Sequence, residues 1–368
     1  MSEPTISLAA IRRELCSELK MPFARRYGTG FQTADSGTTK SLVDAALTQK
    51  DNFWNNSWVY RVASQEASLI TKFTASDNTL QLETAVTAFA ATNEYEIHTL
   101  WNAYEIHRAI NEAIRGARRV FPDSITDETL IIQEDKRAYD LTGLTKVPWY
   151  IHRVWLEQPQ TIRRGAVQSA TSTTLVVENS GILTDVDTNW KVSIYDGTGK
   201  GQIRSVSSIA SATITVTAWT TTPDDTSKYA LWNPSEETYD WYPFDAVRAS
   251  SKEFPSALYF SYRPVDFVGL RIRLEYTAYA AELSAEADTT VIPLEYLKPA
   301  TLALLHGQRI KDTKSDRDMH FGEYKRMDEK ANEYMIRNAP HKNDSIIWSN
   351  PEHFYQPDRN DPLGWNNY

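Results

Sequence analysis

The segment Asp196-Gly197-Thr198-Gly199-Lys200-Gly201 has the glycines and lysine of a phosphate-binding loop. A P-loop, however, needs four residues between its first Gly and the Gly-Lys pair, then Ser or Thr, then a helix whose N-terminal N–H groups face the phosphate. Here the spacing differs and strand-like sequence flanks both sides. The segment predicts a hairpin turn whose glycines supply positive φ. Asp185-Val186-Asp187-Thr188-Asn189 opens like a calcium loop, but Trp190 stands where an EF-hand requires Gly. It predicts a solvated turn.

The seven histidines are His98, His107, His152, His306, His320, His341 and His353. None sits in a zinc-protease pattern, and Cys16, the single cysteine, has no partner for a disulfide or a zinc site of its own. His107 lies on the apolar stripe of a helix, which predicts a core or interface role. No Gly-x-Ser-x-Gly elbow and no paired-carboxylate motif in a convincing context is present. The expectation is a protein that is not an enzyme, with no catalytic residue, no metal and no cofactor. One charged pattern stands out. Arg108, Arg115, Arg118 and Arg119 return to nearly one azimuth of a helix, predicting either a solvated face or a contact stripe for an acidic surface, including another copy of this chain.

What must position these residues is legible as repeated texture. Segments from about Phe31 to Ile97 and from about Ala166 to Leu231 match in order. Leu42-Val43 lies opposite Leu175-Val176, Trp58-Val59-Tyr60-Arg61-Val62 opposite Trp190-Lys191-Val192-Ser193-Ile194, and Ile70 and Phe73 opposite Ile203 and Val206. Leu80-Gln81-Leu82 matches Ile214-Thr215-Val216, and Tyr95-Glu96-Ile97 matches Tyr229-Ala230-Leu231. Each copy alternates Val/Ile with Thr/Ser between turn residues, as a small antiparallel β module does. Trp58 and Trp190 are expected in equivalent, largely buried positions.

Around the modules the period lengthens. Ile6, Leu8, Ile11, Leu15 and Leu19 predict a short amphipathic helix, and Leu100, Tyr104, His107, Ile110, Ile114, Ala117 and Phe121 a longer one. Leu294 to Ile310 and Phe321 to Met335 read as an α-hairpin. Strand-like pieces occur at Arg137–Leu141, Tyr150–Leu156, Tyr239–Tyr242, Leu258–Tyr262 and Leu270–Tyr276. The expected fold is α+β: a helical body with antiparallel β elements, two related inserted small all-β modules and an extended C-terminal tail. The body takes residues 1–27, 98–156 and 233–338, the modules 28–97 and 157–232, and the tail 339–368. Prolines at 340, 351, 357 and 362 keep the tail from forming a helix or a central strand, while Trp348, Phe354, Tyr355, Trp365 and Tyr368 give it aromatic anchors for an interface.

Composition excludes several classes. Charged residues at 24% and hydrophobic residues at 41% are those of a folded chain. A net charge of -9 argues against a general nucleic-acid binder, which must neutralise phosphates. No apolar run is long enough to span a membrane and no signal-peptide block opens the chain, so synthesis in the cytoplasm is expected.

The helix with His107-Arg108-Ala109-Ile110-Asn111-Glu112-Ala113-Ile114 resembles that of tailed-bacteriophage head–tail connector (adaptor, or neck) proteins. Thr289-Thr290-Val291-Ile292-Pro293-Leu294-Glu295-Tyr296-Leu297 resembles their entry into a terminal helix, and the modules, with Leu42-Val43-Asp44 and Trp58-Val59-Tyr60, look like those of neck proteins. The resemblance implies a structural protein of the virion neck, made in the host cytoplasm. It would form a homo-oligomeric ring, a dodecamer, under the portal protein, meet a tail or neck protein, and extend a channel through which DNA passes without specific binding. The tail aromatics are then the expected portal or subunit interface, and the arginine stripe a subunit interface. The competing expectation is a carbohydrate- or cell-surface-binding protein with Trp58, Trp190 and Trp219 as stacking platforms.

Overall fold

The computed structural model describes residues 5–19, 32–237, 239–312 and 316–338, and the chain divides into two compact units. One takes the described residues up to Pro122 and from Tyr279 to Asn338; the other takes Asp123–Ala278.

The first unit opens with β1 (Ile6–Ser7) and α1 (Leu8–Glu18). The Ser7 hydroxyl caps α1 by accepting from the Ala10 N–H at 3.2 Å. Seven strands follow: β2 (Gln32–Thr33), β3 (Ser36–Gly37), β4 (Ser41–Val43), β5 (Trp58–Arg61), β6 (Glu66–Thr74), β7 (Thr79–Leu82) and β8 (Glu94–His98). Their order is β2-β8-β5-β6-β7-β4-β3. The two end strands are halves of one segment, separated only by Ala34 and Asp35. The N–H of Ala34 donates to Asn93 on one side, and that of Asp35 to Val43 on the other, both at 2.9 Å. The hydrogen-bonded ladder therefore runs round the module, which is filled by Leu42, Val59, Ile70, Phe73, Leu80, Tyr95 and Ile97. α2 (Ala103–Ala117) follows, started by a reciprocal capping box between Asn102 and Glu105.

The second unit is all β apart from two short 3-10 turns. Its strands are β9 (Asp123–Ile131), β10 (Ala138–Asp140), β11 (Pro148–Gln158), β12 (Ile162–Ala170), β13 (Thr174–Val177), β14 (Lys191–Asp196), β15 (Ile203–Ala210), β16 (Thr213–Val216), β17 (Lys228–Trp232), β18 (Asp240–Pro243), β19 (Val247–Ala249), β20 (Ala257–Phe260) and β21 (Arg271–Ala278). β12-β13-β16-β15-β14-β17 close into a barrel; β18-β11-β21-β9 and β10-β20-β19 form two open sheets. The barrel seats on this unit's sheets through a close approach that only glycine allows. Gly269 holds φ +87, and a Cβ there would lie 2.4 Å from that of Ala230.

The chain then returns to the first unit, where β22 (Thr289–Thr290) pairs with β1 and leads into α3 (Leu294–Asp312) and α4 (Arg317–Asn338). Leu8, Ile11 and Leu15 of α1, Ile106, Ile110 and Ile114 of α2, Leu297 and Leu305 of α3, and Met327 of α4 share one core.

These facts correct the expected fold class. There is no helical body: of the described residues 35% are strand and 23% helical. The strand-like pieces between 123 and 278 do not decorate helices. β9, β11 and β21 pair with one another into a sheet with its own core of Ile131, Val154, Leu156, Ile272 and Leu274. All four helices of the described residues belong to the unit holding the first module. The longer helix also stops at Ala117, short of Phe121.

The repeat needs a register correction. Both modules share one strand order, with β4, β5, β6, β7 and β8 corresponding to β13, β14, β15, β16 and β17. Leu42 pairs with Leu80 as Leu175 pairs with Ile214, so those matches coincide with the sequence alignment. Trp58, however, pairs with Leu69 and His98, while the corresponding pairs belong to Lys191, with Ser205 and Trp232. The counterpart of Trp190 is Ser57: each offers its carbonyl to the N–H of Val206 or Ile70 respectively. A one-residue slip turns a side chain to the opposite face. Trp190 is accordingly 4% exposed, whereas Trp58 is half-buried, and the first module buries Trp54 instead. Ile70 and Phe73 correspond to Val206 and Ile209, three positions beyond the sequence match, because the turn between Ile194 and Gln202 is three residues longer than that between Arg61 and Glu66; the bulge just after Ile70 and Val206 is common to both modules.

Candidate functional site: two buried arginine–carboxylate clusters

Each unit buries one arginine among carboxylates. In the first, Arg12 lies on the inward stripe of α1, one turn from Leu8, and is fully buried. Its Nε and Nη2 donate to Glu96 of β8 at 2.9 and 3.1 Å, and its Nη1 and Nη2 to Glu286 at 2.7 and 2.8 Å. Nη1 also donates to Nε2 of His107 on α2 at 2.7 Å, and the guanidinium lies 4.7 Å over the ring of Tyr60. The Tyr60 hydroxyl donates to Glu286 at 2.5 Å, and His98 Nε2 to Glu96 at 2.8 Å.

The electrostatics follow. Burial works against ionised Glu96, but Arg12 and His98 outweigh it and hold its carboxyl down to about 2. Burial, then the adjacent Arg12, push His107 down to about 4, so it is a neutral acceptor. Burial raises Tyr60 well above the usual phenol range, with Glu286 adding to the shift.

In the second unit Arg271 of β21 donates through Nε (3.1 Å) and Nη2 (2.7 Å) to Glu157 of β11, and through Nη1 to Glu128 of β9 at 2.5 Å. Glu157 also receives Trp232 Nε1 at 2.6 Å, the Tyr239 hydroxyl at 2.7 Å and the backbone N–H of Arg271 at 2.9 Å. Arg273 donates to Glu128 at 2.8 Å and lies 3.8 Å over Trp241. Burial opposes the Arg271 charge, yet the hydrogen bond and field of Glu157 prevail and raise its pKa.

Both arrangements have the ingredients of acid–base chemistry, but their carboxylates are engaged within the protein. Glu157 is saturated by Arg271, Trp232 and Tyr239, and Glu96 and Glu286 each accept three bonds. A metal is disfavoured too. Sγ of Cys16 and ligand atoms of Glu96 and His98 lie within 4.8 Å of one another, all buried. Yet Glu96 is gripped by Arg12 and His98, and burial raises the Cys16 thiol, keeping it protonated. This donor set does not fit a cation.

Of the arginine stripe, three members meet partners in their own unit. Arg115 pairs with Glu282 at 2.9 Å, Arg119 donates to the Tyr279 hydroxyl at 3.2 Å, and Arg118 lies 4.6 Å over the Tyr279 ring. Arg108 is exposed on α2, while Arg118 and Arg119 fall beyond the last helical residue. The glycine loop is a turn. Gly197, Gly199 and Gly201 have φ of +75, +78 and +91, strand β15 follows, and Thr198 donates to Asp224 at 2.7 Å. In the calcium-like segment Asp187 accepts from the Asn189 N–H at 2.8 Å, and Asp185 pairs with Arg163. Trp190 and Trp219 are buried, with Arg163 and Arg204 stacked over them, which removes two of the three proposed sugar platforms. Trp348, Phe354, Tyr355, Trp365 and Tyr368 lie outside the described residues. Among the described residues no helix is long and apolar enough to cross a membrane.

Sequence reasoning missed both clusters because each arginine lies 84 to 274 residues from the carboxylates it binds. Two signals were available: Arg12 sits on an otherwise apolar stripe, and Glu96 lies between Tyr95 and Ile97 in a strand buried from Tyr95 onward. No family model, no curated protein and no solved structure matches this chain.

Proposed function

We propose that this chain is a non-enzymatic structural protein of a tailed-phage neck, a head–tail adaptor that assembles as a homo-oligomeric ring under the portal protein and extends the DNA channel. The observation that carries the reading is how the buried charge is spent. Arg12 ties Glu96 of the first module to α1, and Glu157, gripped by Arg271, accepts from Trp232 of the second module, a use of buried charge that fits a stiff structural part. The two segments bearing the adaptor resemblance also meet: Ile110 and Ile114 of α2 share a core with Ile292, Tyr296 and Leu297. A net charge of -9 suits a channel wall that must not grip DNA. A ring requires two different, complementary patches per copy. Co-expression with the portal protein of the same virion, followed by capture on the portal, tests the reading. Co-elution of a ring supports it; a chain that stays monomeric and flows through sinks it.

A further inference from the structure

We propose that His306 and His320 form a proton-operated clasp that holds the α3–α4 hairpin closed at neutral pH and loosens it on acidification.

The two imidazoles face each other across the hairpin, 8% and 5% exposed, with Nδ1 to Nδ1 at 2.8 Å. That distance is a hydrogen bond, and only one proton fits between two Nδ1 atoms. One ring donates and the other accepts, so the closed state needs at least one imidazole neutral at Nδ1. A first added proton can go to the outer Nε2 of the donor ring and leave the bond intact; a further one, on the accepting Nδ1, sets two N–H donors and two charges head to head in a buried site, and the rings must part.

The surroundings offer little relief. From α3, Arg309 lies 5.9 Å from the Trp101 ring centre and donates to the Leu100 carbonyl. From α4, Glu323 is the nearby anion, but it is bound by Arg326 at 2.6 Å. The segment before α2 supplies Trp101, a neutral ring edge-on to His306 at 5.3 Å and to His320 at 6.2 Å. Burial first, then His320, hold His306 below the ordinary imidazole value, with Glu323 opposing and Arg326 adding. The sign follows: a depressed histidine stabilises the fold while neutral, and that contribution is lost as pH falls below about 6.5.

The effect is local. Within α4 the buried residues are His320, Met327 and Ala331. His320 is the buried residue of the helix's first turns, so parting of the pair frees that start while Tyr324, Met327 and Ala331 hold the rest to the core.

Hydrogen exchange of the full chain at pH 7.5 and 5.0, corrected for intrinsic rates, tests this. Peptides from the first half of α4 should lose protection several-fold at pH 5.0, while β-barrel peptides keep theirs. His306→Asn keeps a donor and an acceptor near the position of Nδ1 but cannot titrate, and it should abolish the pH dependence. Equal protection of the wild type at both pH values, or undiminished dependence in His306→Asn, overturns the proposal. Should His306→Asn not fold, NMR titration of the wild type decides: the pair should take up its protons in two separate steps, the later one depressed, and two independent, unshifted imidazole titrations overturn the clasp.

Discussion

His98 and Trp232 occupy the same position in the two β modules, and each donates a ring N–H to a buried carboxylate that an arginine grips with two nitrogens. His98 ends β8 opposite Trp58, and Trp232 ends β17 opposite Lys191, the counterpart of Trp58. The acceptors are Glu96 and Glu157, and the arginines Arg12 and Arg271. A second glutamate and a tyrosine hydroxyl complete each set: Glu286 with Tyr60, and Glu128 with Tyr239. The carboxylates arise on different strands, so the likeness lies in the chemistry that anchors the last module strand, beyond the shared strand order.

Removing either arginine should be costly. Arg12→Met leaves Glu96 and Glu286 uncompensated in a low-dielectric site, and Arg271→Met does the same to Glu157 and Glu128. Breaking a buried pair from one side costs about 3–5 kcal/mol. Urea unfolding followed by a probe in the affected unit should show that loss. A loss under about 1 kcal/mol in both variants would mean the clusters do not hold the modules.

Acid should weaken the first unit in two stages. Unfolded His107 takes up a proton near 6.5 but folded His107 only near 4, so proton uptake favours the unfolded chain across that window. Glu96 is ionised in the fold down to about 2 but protonates near 4.5 when unfolded, so a further loss follows from 4.5 towards 2. Urea midpoints at pH 7.5, 5.5 and 3.5 should fall in that order, and His107→Gln should flatten part of the upper step. A midpoint constant from pH 7.5 to 4.5 contradicts this reading.

The corrected register separates two tryptophans. Trp190→Ala should cost its barrel about 3–5 kcal/mol, because a large buried ring is lost and a cavity remains. Trp58→Ala, at a half-buried site, should cost about half as much or less. Thermal melts of the two variants compare them directly, and equal losses would restore the sequence alignment that made them equivalent.

That alignment shows what the sequence could and could not convey. Strand identities survived because Leu80-Gln81-Leu82 and Ile214-Thr215-Val216 keep their alternation and pairing. Register failed where tryptophan identity outweighed ladder geometry, and where the turn from Ile194 to Gln202 runs three residues longer than that from Arg61 to Glu66. The helical body was inferred because the stripes of α2 and α3 are strong local signals. The sheet of β9, β11 and β21 is built from non-local pairs, such as Ile125 with Tyr276, that no local window contains. The buried clusters were invisible for the same reason, except for the two out-of-place charges, Arg12 and Glu96.

The arginine stripe should contribute little to stability. Arg115 and Glu282 are 44% and 51% exposed, so water screens the pair. Arg115→Glu should change stability by less than about 1 kcal/mol. If the same change abolishes ring formation while leaving the melting curve intact, the stripe is a subunit contact after all.

Mass photometry of the purified full chain, alone and mixed with the portal protein of the same virion, tests the adaptor reading most directly. It expects a species near twelve times the 41.9 kDa chain mass, on its own or once the portal is added. A single peak at the monomer mass under both conditions, with the portal peak unmoved, contradicts it.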